Sequence, residues 1–336
     1  MRMGPLAGFL DERFGAAPLT VEPISGGQSN PTFFVTHGPR RMVLRKKPDG
    51  PLLKGAHAIE REFRVMSALY PAGVPVPRPI LLHEDPALIG TPFYLMERIE
   101  GRIFTDASLP DLPRADRAAI WMGLADALAS LHAVDPATVG LADYGRPGNY
   151  FERQLARWTG QLQASPGPRI DMLHRLADLL PALLPPDDGA VAIAHGDFRL
   201  GNVIFHSVEP RVVAILDWEL STLGHPLADL GFVVMPWHSA PDEYGGILGL
   251  DHVALGLPDE GAFISRYRAG LPQAGPLLPF HRAFALFRFA VIFVGIADRV
   301  RAGTASDTRA ARLAPLAQGF AVRALDVLGR QGGASP

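Results

Sequence analysis

Ala192-Ile193-Ala194-His195-Gly196-Asp197-Phe198-Arg199-Leu200-Gly201-Asn202-Val203-Ile204-Phe205, followed by Val212-Val213-Ala214-Ile215-Leu216-Asp217-Trp218-Glu219, is the stretch that decides the fold. An apolar run enters a polar loop, a short strand follows, and a turn brings in a second strand that ends on Asp217. Four residues separate Asp197 from Asn202, and Asp217 comes one hairpin later. The spacing H-x-D-x-x-x-x-N … D suits phosphoryl transfer. Asp197 can take the proton of an acceptor hydroxyl, while the Asn202 amide oxygen and the Asp217 carboxylate hold Mg2+ on phosphates. Short strands give all three a rigid mount.

The rest of the composition narrows the class. At 336 residues the chain is long enough for two lobes and a sizeable core. Hydrophobic residues make up 48% and charged residues 20%, as in ordinary globular proteins. A net charge of −2 leaves no footprint for nucleic acid or an anionic membrane. With no cysteine, disulfides, thiol catalysis and Cys-based zinc sites are excluded. Asp11, Glu12 and Arg13 interrupt the N-terminus before an apolar signal-peptide core develops, and Ala283 to Ala297 is too short to span a bilayer. A cytoplasmic enzyme is expected, with Ala283–Ala297 as a buried helix. Homodimerisation is left open.

Upstream, residues 5–15 pattern as an amphipathic helix, and Leu19–Ile24, Thr32–Thr36 and Arg41–Arg45 as strands. The first two strands flank a small-residue turn in which Gly26, Gly27, Ser29 and Asn30 are candidates to lay backbone N–H groups on phosphates. A plain turn is the competing reading. The third strand puts Arg45 where a cation would meet the α- and β-phosphates, with Lys46 or Lys47 as alternatives. On the helix Ile59–Leu69, Glu62 is favoured over Glu60 as the brace for that cation, since it sits nearer the packed face. A surface pair with Arg61 or Arg64 is the alternative. Strand Phe93–Glu97 then leads to a hinge. There Met96 lies behind an adenine ring, and Glu97 and Ile99 offer main-chain hydrogen bonds.

Downstream the pattern turns helical over Pro113–Ala133, 147–164 and 168–184. His132 reads as packed or capping, His195 as a brace of the loop, and Leu220–Pro226 as a loop. Asp229, at the start of the next helix, is expected to brace the catalytic loop. From Val212 to Ser265 there is no Lys or Arg but several acids, which would suit a cationic acceptor or simply be metal ligands and solvated loop residues. Arg266, Arg268, Arg282, Arg288, Arg299 and Arg301 would instead suit a carboxylate or phosphate on the acceptor, or cover helix surfaces. The tail from Gly329 reads as disordered.

Together these motifs resemble the aminoglycoside phosphotransferase/choline kinase superfamily. The resemblance runs from Ile24-Ser25-Gly26-Gly27 to Gly224-His225-Pro226-Leu227-Ala228-Asp229-Leu230. Leu44-Arg45-Lys46-Lys47-Pro48 and Asp217-Trp218-Glu219-Leu220-Ser221-Thr222-Leu223-Gly224 are most similar to the kinase-like domains fused to some acyl-CoA dehydrogenases and to their stand-alone bacterial relatives. The resemblance implies an α+β, protein-kinase-like bilobal fold, with a small N-terminal antiparallel-sheet lobe and a larger, mainly helical C-terminal lobe. The expected division is 1–97 for the nucleotide lobe, 98–101 for the hinge, 102–330 for the catalytic and substrate lobe, and 331–336 for the tail. It also implies ATP- and Mg2+-dependent phosphorylation of a small-molecule hydroxyl, with hydroxylated acyl compounds or their CoA thioesters as acceptors. The phosphate turn lacks a full G-x-G-x-x-G, and Arg45 stands where many relatives have Lys.

Three alternatives are carried forward. One is an aminoglycoside or macrolide phosphotransferase. Another is a non-catalytic nucleotide-binding regulator, although Asp197, Asn202 and Asp217 are all present. The third is a hydrolase metal site built from His195, Asp197, Asp217 and His225. ATP and GTP are not distinguished by the residues.

Overall fold

A computed structural model describes residues 2–24, 30–48, 58–146, 148–303, 313 and 315–329. Gly26, Gly27 and Ser29 of the expected phosphate turn, and the tail beyond Gly329, lie outside the described residues. Five antiparallel strands form the first layer, in the order β1 (Leu19–Pro23), β2 (Thr32–His37), β3 (Arg40–Lys46), β5 (Phe93–Glu97), β4 (Pro79–His83). Helix α1 (Met3–Phe14) covers one face and α2 (Ile59–Leu69) the other. Period-two alternation along β3 explains the division. Met42 and Leu44 pack with Leu6 and Leu10 of α1, whereas Val43 faces the other way, with Tyr94, Met96 and Met66. Arg45 shares the face of Val43, and its register partner is Tyr94.

Beyond Glu97 the chain crosses to a helical body. Gly101 passes so close to Phe205 that a Cβ would meet the Phe205 carbonyl oxygen at 2.2 Å. The neighbouring Arg102 exchanges backbone hydrogen bonds of 2.9 and 2.8 Å with Phe205, which fixes the crossing to the hairpin that follows Asn202. The body contains α3 (Arg114–His132), α4 (Tyr150–Gln163), α5 (Asp171–Leu179), α6 (Pro226–Val233), α7 (His252–Leu255), α8 (Glu260–Gly270), α9 (Pro279–Arg301) and α10 (Leu316–Gly329). Two small ribbons lie between them: β6 (Ala192–Ala194) with β9 (Thr222–Gly224), and β7 (Val203–Phe205) with β8 (Val212–Ile215). As the pattern of Ala283–Ala297 predicts, α9 is buried along much of its length.

Three expectations need correction. The stretch Leu220–Pro226 is not all loop: Thr222–Gly224 is β9, paired Ala192↔Gly224 to Ala194↔Thr222. Three residues are too few to show a period, and only the partner strand makes them extended. Helix 147–164 begins at Tyr150, because the Asn149 side chain accepts the Glu152 N–H as an N-cap. Helix 168–184 ends as α-helix at Leu179; Pro181 lacks an N–H, and the chain tightens into a 3-10 turn over Leu180–Leu183. Among the described residues, no helix is long and apolar enough to cross a membrane.

Candidate functional site

Between sheet and helical body lies a cleft of about 610 Å³, walled by Val43, Arg45 and Met96 above and by Asn202, Leu216 and Asp217 below. Glu97, Arg98, Ile99, Glu100 and Gly101 line its back. The Glu97 N–H donates to the Arg78 carbonyl at 2.9 Å, which leaves the carbonyl of Glu97 as that residue's backbone group for a ligand. The Ile99 N–H has no hydrogen-bond partner among the described residues. The Arg98 guanidinium sits 3.8 Å over the Phe34 ring.

The upper wall is held by a buried ionic network. Arg45 Nε stands 2.9 Å from Glu62 Oε2, an ionic contact without hydrogen-bond alignment. Arg45 Nη2 lies 3.0 Å from Asp217 Oδ1 and 3.7 Å from Glu219 Oε2. Glu62 is buried and also accepts from Asn30 Nδ2 at 2.8 Å and from the Tyr94 hydroxyl at 3.0 Å. Burial pushes the Glu62 carboxyl above its usual range, against the opposing pull of Arg45 and Tyr94. Burial also disfavours the charge on Arg45, but Glu62, Tyr94, Asp217 and Glu219 outweigh it and raise its pKa. Lys47 pairs with Glu60, Arg64 with Asp143, and Arg61 donates to the Tyr144 carbonyl. Of Glu60 and Glu62, it is therefore Glu62 that meets Arg45. Asn30 stands behind the cleft, with its amide committed to Glu62.

The lower wall is built by the loop that carries Asp197 and Asn202, with Asp217 beside it. Asn202 Nδ2 donates to the Asp197 backbone oxygen at 2.8 Å and to Asp197 Oδ2 at 2.7 Å. That leaves the Asn202 amide oxygen as its second polar atom. Asp217 adopts φ 63°, ψ 64°, a left-handed conformation uncommon outside glycine. Local strain of this kind is stored where surrounding contacts over-determine the backbone. His195 is fully buried: its Nε2–H donates to the Leu216 carbonyl at 2.7 Å, and its Nδ1 accepts the Asp197 N–H at 3.2 Å. This imidazole links the segments that carry Asp197 and Asp217 and has no nitrogen left for a metal.

Asp229 clamps the loop from below. Its Oδ2 accepts the His195 N–H at 2.6 Å and its Oδ1 the Gly196 N–H at 2.9 Å. His132 Nε2 is 3.2 Å from the same Oδ2, with the Tyr267 hydroxyl 2.8 Å from His132 Nδ1. Burial works to raise the Asp229 pKa, but the His132 hydrogen bond and charge, His195 and the Gly196 N–H together hold it below the usual carboxylate range. The sign follows: a depressed pKa contributes stability that is present above the unfolded-state value of about 3.9 and is lost as pH falls through the folded-state value. Asp229→Asn is expected to cost about 3 kcal/mol, because it leaves buried N–H donors facing an amide. Urea denaturation at pH 7 measures the loss. The variant should also show a shallower fall in stability below pH 4 than the unaltered chain.

Four residues absent from the expected site belong to its surroundings. Arg199 Nε lies 3.4 Å from Asp197 Oδ2. Glu219 reaches toward Arg45, Tyr94 toward Glu62, and Arg288 toward the loop. Glu219 lies in the 3-10 turn Trp218–Leu220 beyond the left-handed Asp217, so no sequence period marked it. Nothing local marked Tyr94.

The acids of the Val212–Ser265 segment do not form a continuous wall. Asp251 and Asp259 cap α7 and α8, Glu243 pairs with Arg323, and Glu260 pairs with Arg282 and His238. Three of the C-terminal arginines are paired: Arg266 with Asp126, Arg282 with Glu260 and Arg301 with Asp298. His225 caps α6 through Nδ1 and contacts Asp188 through Nε2, so it does not join His195, Asp197 and Asp217 in a metal cluster. Among the described residues, no three His, Cys, Asp or Glu side chains converge as metal ligands. A small apolar pocket of about 80 Å³ opens beside the loop, between Arg199, Phe232, Met235, Tyr244 and Phe320; it shares Thr105 and Gly201 with the main cleft.

A strand cation braced by a helix glutamate above a loop Asp, Asn and Asp is the cleft of the protein-kinase-like phosphotransferases. More narrowly, the chain belongs to the phosphotransferase enzyme family, whose model matches residues 20–274. A solved protein of Ralstonia eutropha, provisionally assigned as an aminoglycoside phosphotransferase, is 43% identical; its TM-score is 0.88, with 97% of this chain and 98% of that one covered. Spectinomycin phosphotransferase, solved with ADP and spectinomycin, has a TM-score of 0.66 at 13% identity over 98% of this chain and 99% of its own. Choline kinase of Cryptosporidium parvum has a TM-score of 0.65 at 14% identity over 97% and 95%. These two share the fold. Acyl-CoA dehydrogenase family member 11 of Gallus gallus is 41% identical over 329 residues, which are 96% of this chain and 42% of that protein. The chain thus spans less than half the length of this curated relative.

Proposed function

We propose that the protein is an ATP- and Mg2+-dependent kinase that transfers the γ-phosphoryl group to the hydroxyl of a hydroxylated acyl compound, as the acid or its CoA thioester. The observation that carries the reading is the convergence of Arg45, Asn202 and Asp217 on one cleft, with Asp197 hydrogen-bonded to Asn202 and an apolar pocket at that end. Residues 1–97 form the nucleotide lobe, 98–101 the hinge, and 102–330 the catalytic lobe. Adenine lies against Met96, with the Glu97 carbonyl and the Ile99 N–H at its edge. Arg45 contacts the α- and β-phosphates, and Glu62, steadied by Asn30 and Tyr94, keeps the guanidinium in place.

The donors suit magnesium: the free amide oxygen of Asn202 and the carboxylate of Asp217 are hard oxygens on adjacent rigid segments. The ion supplies neutralisation of phosphate charge. Asp197 orients the acceptor hydroxyl and receives its proton, and Arg199 beside it offers a cation to the transferring group. Asp251 and Asp259 are engaged as helix caps and Glu243 and Glu260 in ion pairs, which leaves fewer acids for a polycationic antibiotic. The pocket beside the loop suits the apolar part of an acyl chain. Similarity to an acyl-CoA dehydrogenase family member, over 42% of that protein's length, points the same way.

The test is Mg·ATP consumption by the full chain against hydroxyacyl-CoAs, free hydroxy acids, aminoglycosides, macrolides and amino alcohols. Turnover is expected with the hydroxyacyl compounds. Selective turnover of an aminoglycoside or macrolide would overturn the acceptor assignment. Mg·ATP binding without phosphorylation of any acceptor would favour a regulator.

A further inference from the structure

Arg288 is the one charged residue in the apolar run Ala283–Ala297. Its side chain is 7% exposed, and among the described residues it has no carboxylate partner. Its guanidinium donates through Nη2 to the Gly196 carbonyl and lies 5.5 Å from the Trp158 ring centroid and 5.3 Å from that of Phe232. A buried cation without an acid is costly, and aromatic faces offset only part of that cost.

The target of this contact is specific. The Gly196 carbonyl and the Asp197 N–H belong to one peptide unit. The N–H end of that unit is held by His195 Nδ1 at 3.2 Å, and the carbonyl end by Arg288. The preceding N–H, on Gly196, is held by the Asp229 carboxylate at 2.9 Å. Gly196 itself has φ +83°, and a Cβ there would meet the Leu220 oxygen at 2.7 Å, so this backbone is tightly placed. Opposite charges from two helices, Asp229 of α6 and Arg288 of α9, thus grip one glycine from its two ends.

We infer that Arg288 is a positioning residue that orients the Gly196–Asp197 peptide and, through it, the Asp197 carboxylate. This rests on the kinase reading only where turnover is the readout. A peptide plane fixed at both ends sets the direction from which the Asp197 side chain departs, and small errors in that direction are expensive in rate. The same residue accounts for a charge in the middle of an otherwise apolar helix.

The test uses the full chain with Arg288→Met and Arg288→Lys. Methionine fills similar space without a donor or charge, and replacing a buried charge by an apolar group need not destabilise. Arg288→Met is expected to keep or raise the melting temperature. Amide exchange in 195–199 should accelerate at least about tenfold, and kcat should fall about 10- to 100-fold. The KM for Mg·ATP should stay within about twofold, and Arg288→Lys should restore most of both losses. Unchanged exchange and kcat in folded Arg288→Met would overturn the proposal. So would a lysine variant as impaired as the methionine one, or a fall in melting temperature with exchange rising throughout α6 and α9. If the unaltered chain turns over no ATP, the kinase reading fails, and local exchange still decides the role of Arg288.

Discussion

Asp197→Asn is expected to remove phosphoryl transfer while leaving nucleotide binding in place. The substitution is nearly isosteric, and its side-chain oxygen can still accept from Asn202 Nδ2, which now sits 2.7 Å from Asp197 Oδ2. The loop therefore keeps its shape. What disappears is a carboxylate able to take the acceptor proton, an effect worth about 10²- to 10⁴-fold in kcat. The adenine and phosphate contacts proposed above lie elsewhere in the cleft, so the KM for Mg·ATP should move by less than about threefold. Steady-state kinetics with the acceptor found in the panel, alongside a thermal shift with Mg·ATP, measures both halves. A variant with more than a tenth of normal kcat would remove Asp197 from the catalytic role.

Asp217→Asn should fail differently. Asparagine tolerates the left-handed conformation seen at φ 63°, so the fold survives the change. The anionic oxygen that would meet the metal is lost, and Arg45 keeps at most a neutral acceptor where its Nη2 now meets a carboxylate at 3.0 Å. Metal-dependent nucleotide binding is expected to collapse together with kcat, the latter by about 10³-fold or more. A ligand at 100 times its dissociation constant stabilises a protein by about 2.7 kcal/mol, so the Mg·ATP thermal shift of the unaltered chain should largely vanish in the variant. Undiminished Mg·ATP stabilisation in Asp217→Asn would point the metal to other ligands. The two variants together separate proton transfer from metal holding: one keeps the thermal shift and the other loses it.

The division between local and tertiary information is visible residue by residue. The spacing of Asp197, Asn202 and Asp217 was legible because a loop and a hairpin fix the three within one continuous stretch. Glu62 was legible because helical spacing put it near the packed face, and the choice between Glu60 and Glu62 followed. Strand β9 was not, because three residues carry no period and become extended only against β6. The fate of the acids between Val212 and Ser265 was also hidden. Whether Asp251 caps a helix or Glu260 meets Arg282 depends on neighbours distant in the chain.

The sequence by itself determined the antiparallel sheet, the helical body, the identity of the polar residues at the cleft and the chemistry they suit, because those follow from short-range periodicity and motif spacing. Tertiary structure decided which cation faces Asp217, where Asn30 and Tyr94 direct their polar atoms, and that Arg288 grips the loop beside Asp197. Such contacts join residues far apart in the chain, 92 positions in the case of Arg288 and Gly196. Only the packing of α9 against the loop of Gly196 and Asp197 brings that guanidinium and that carbonyl together, in a place where an apolar environment makes their hydrogen bond count.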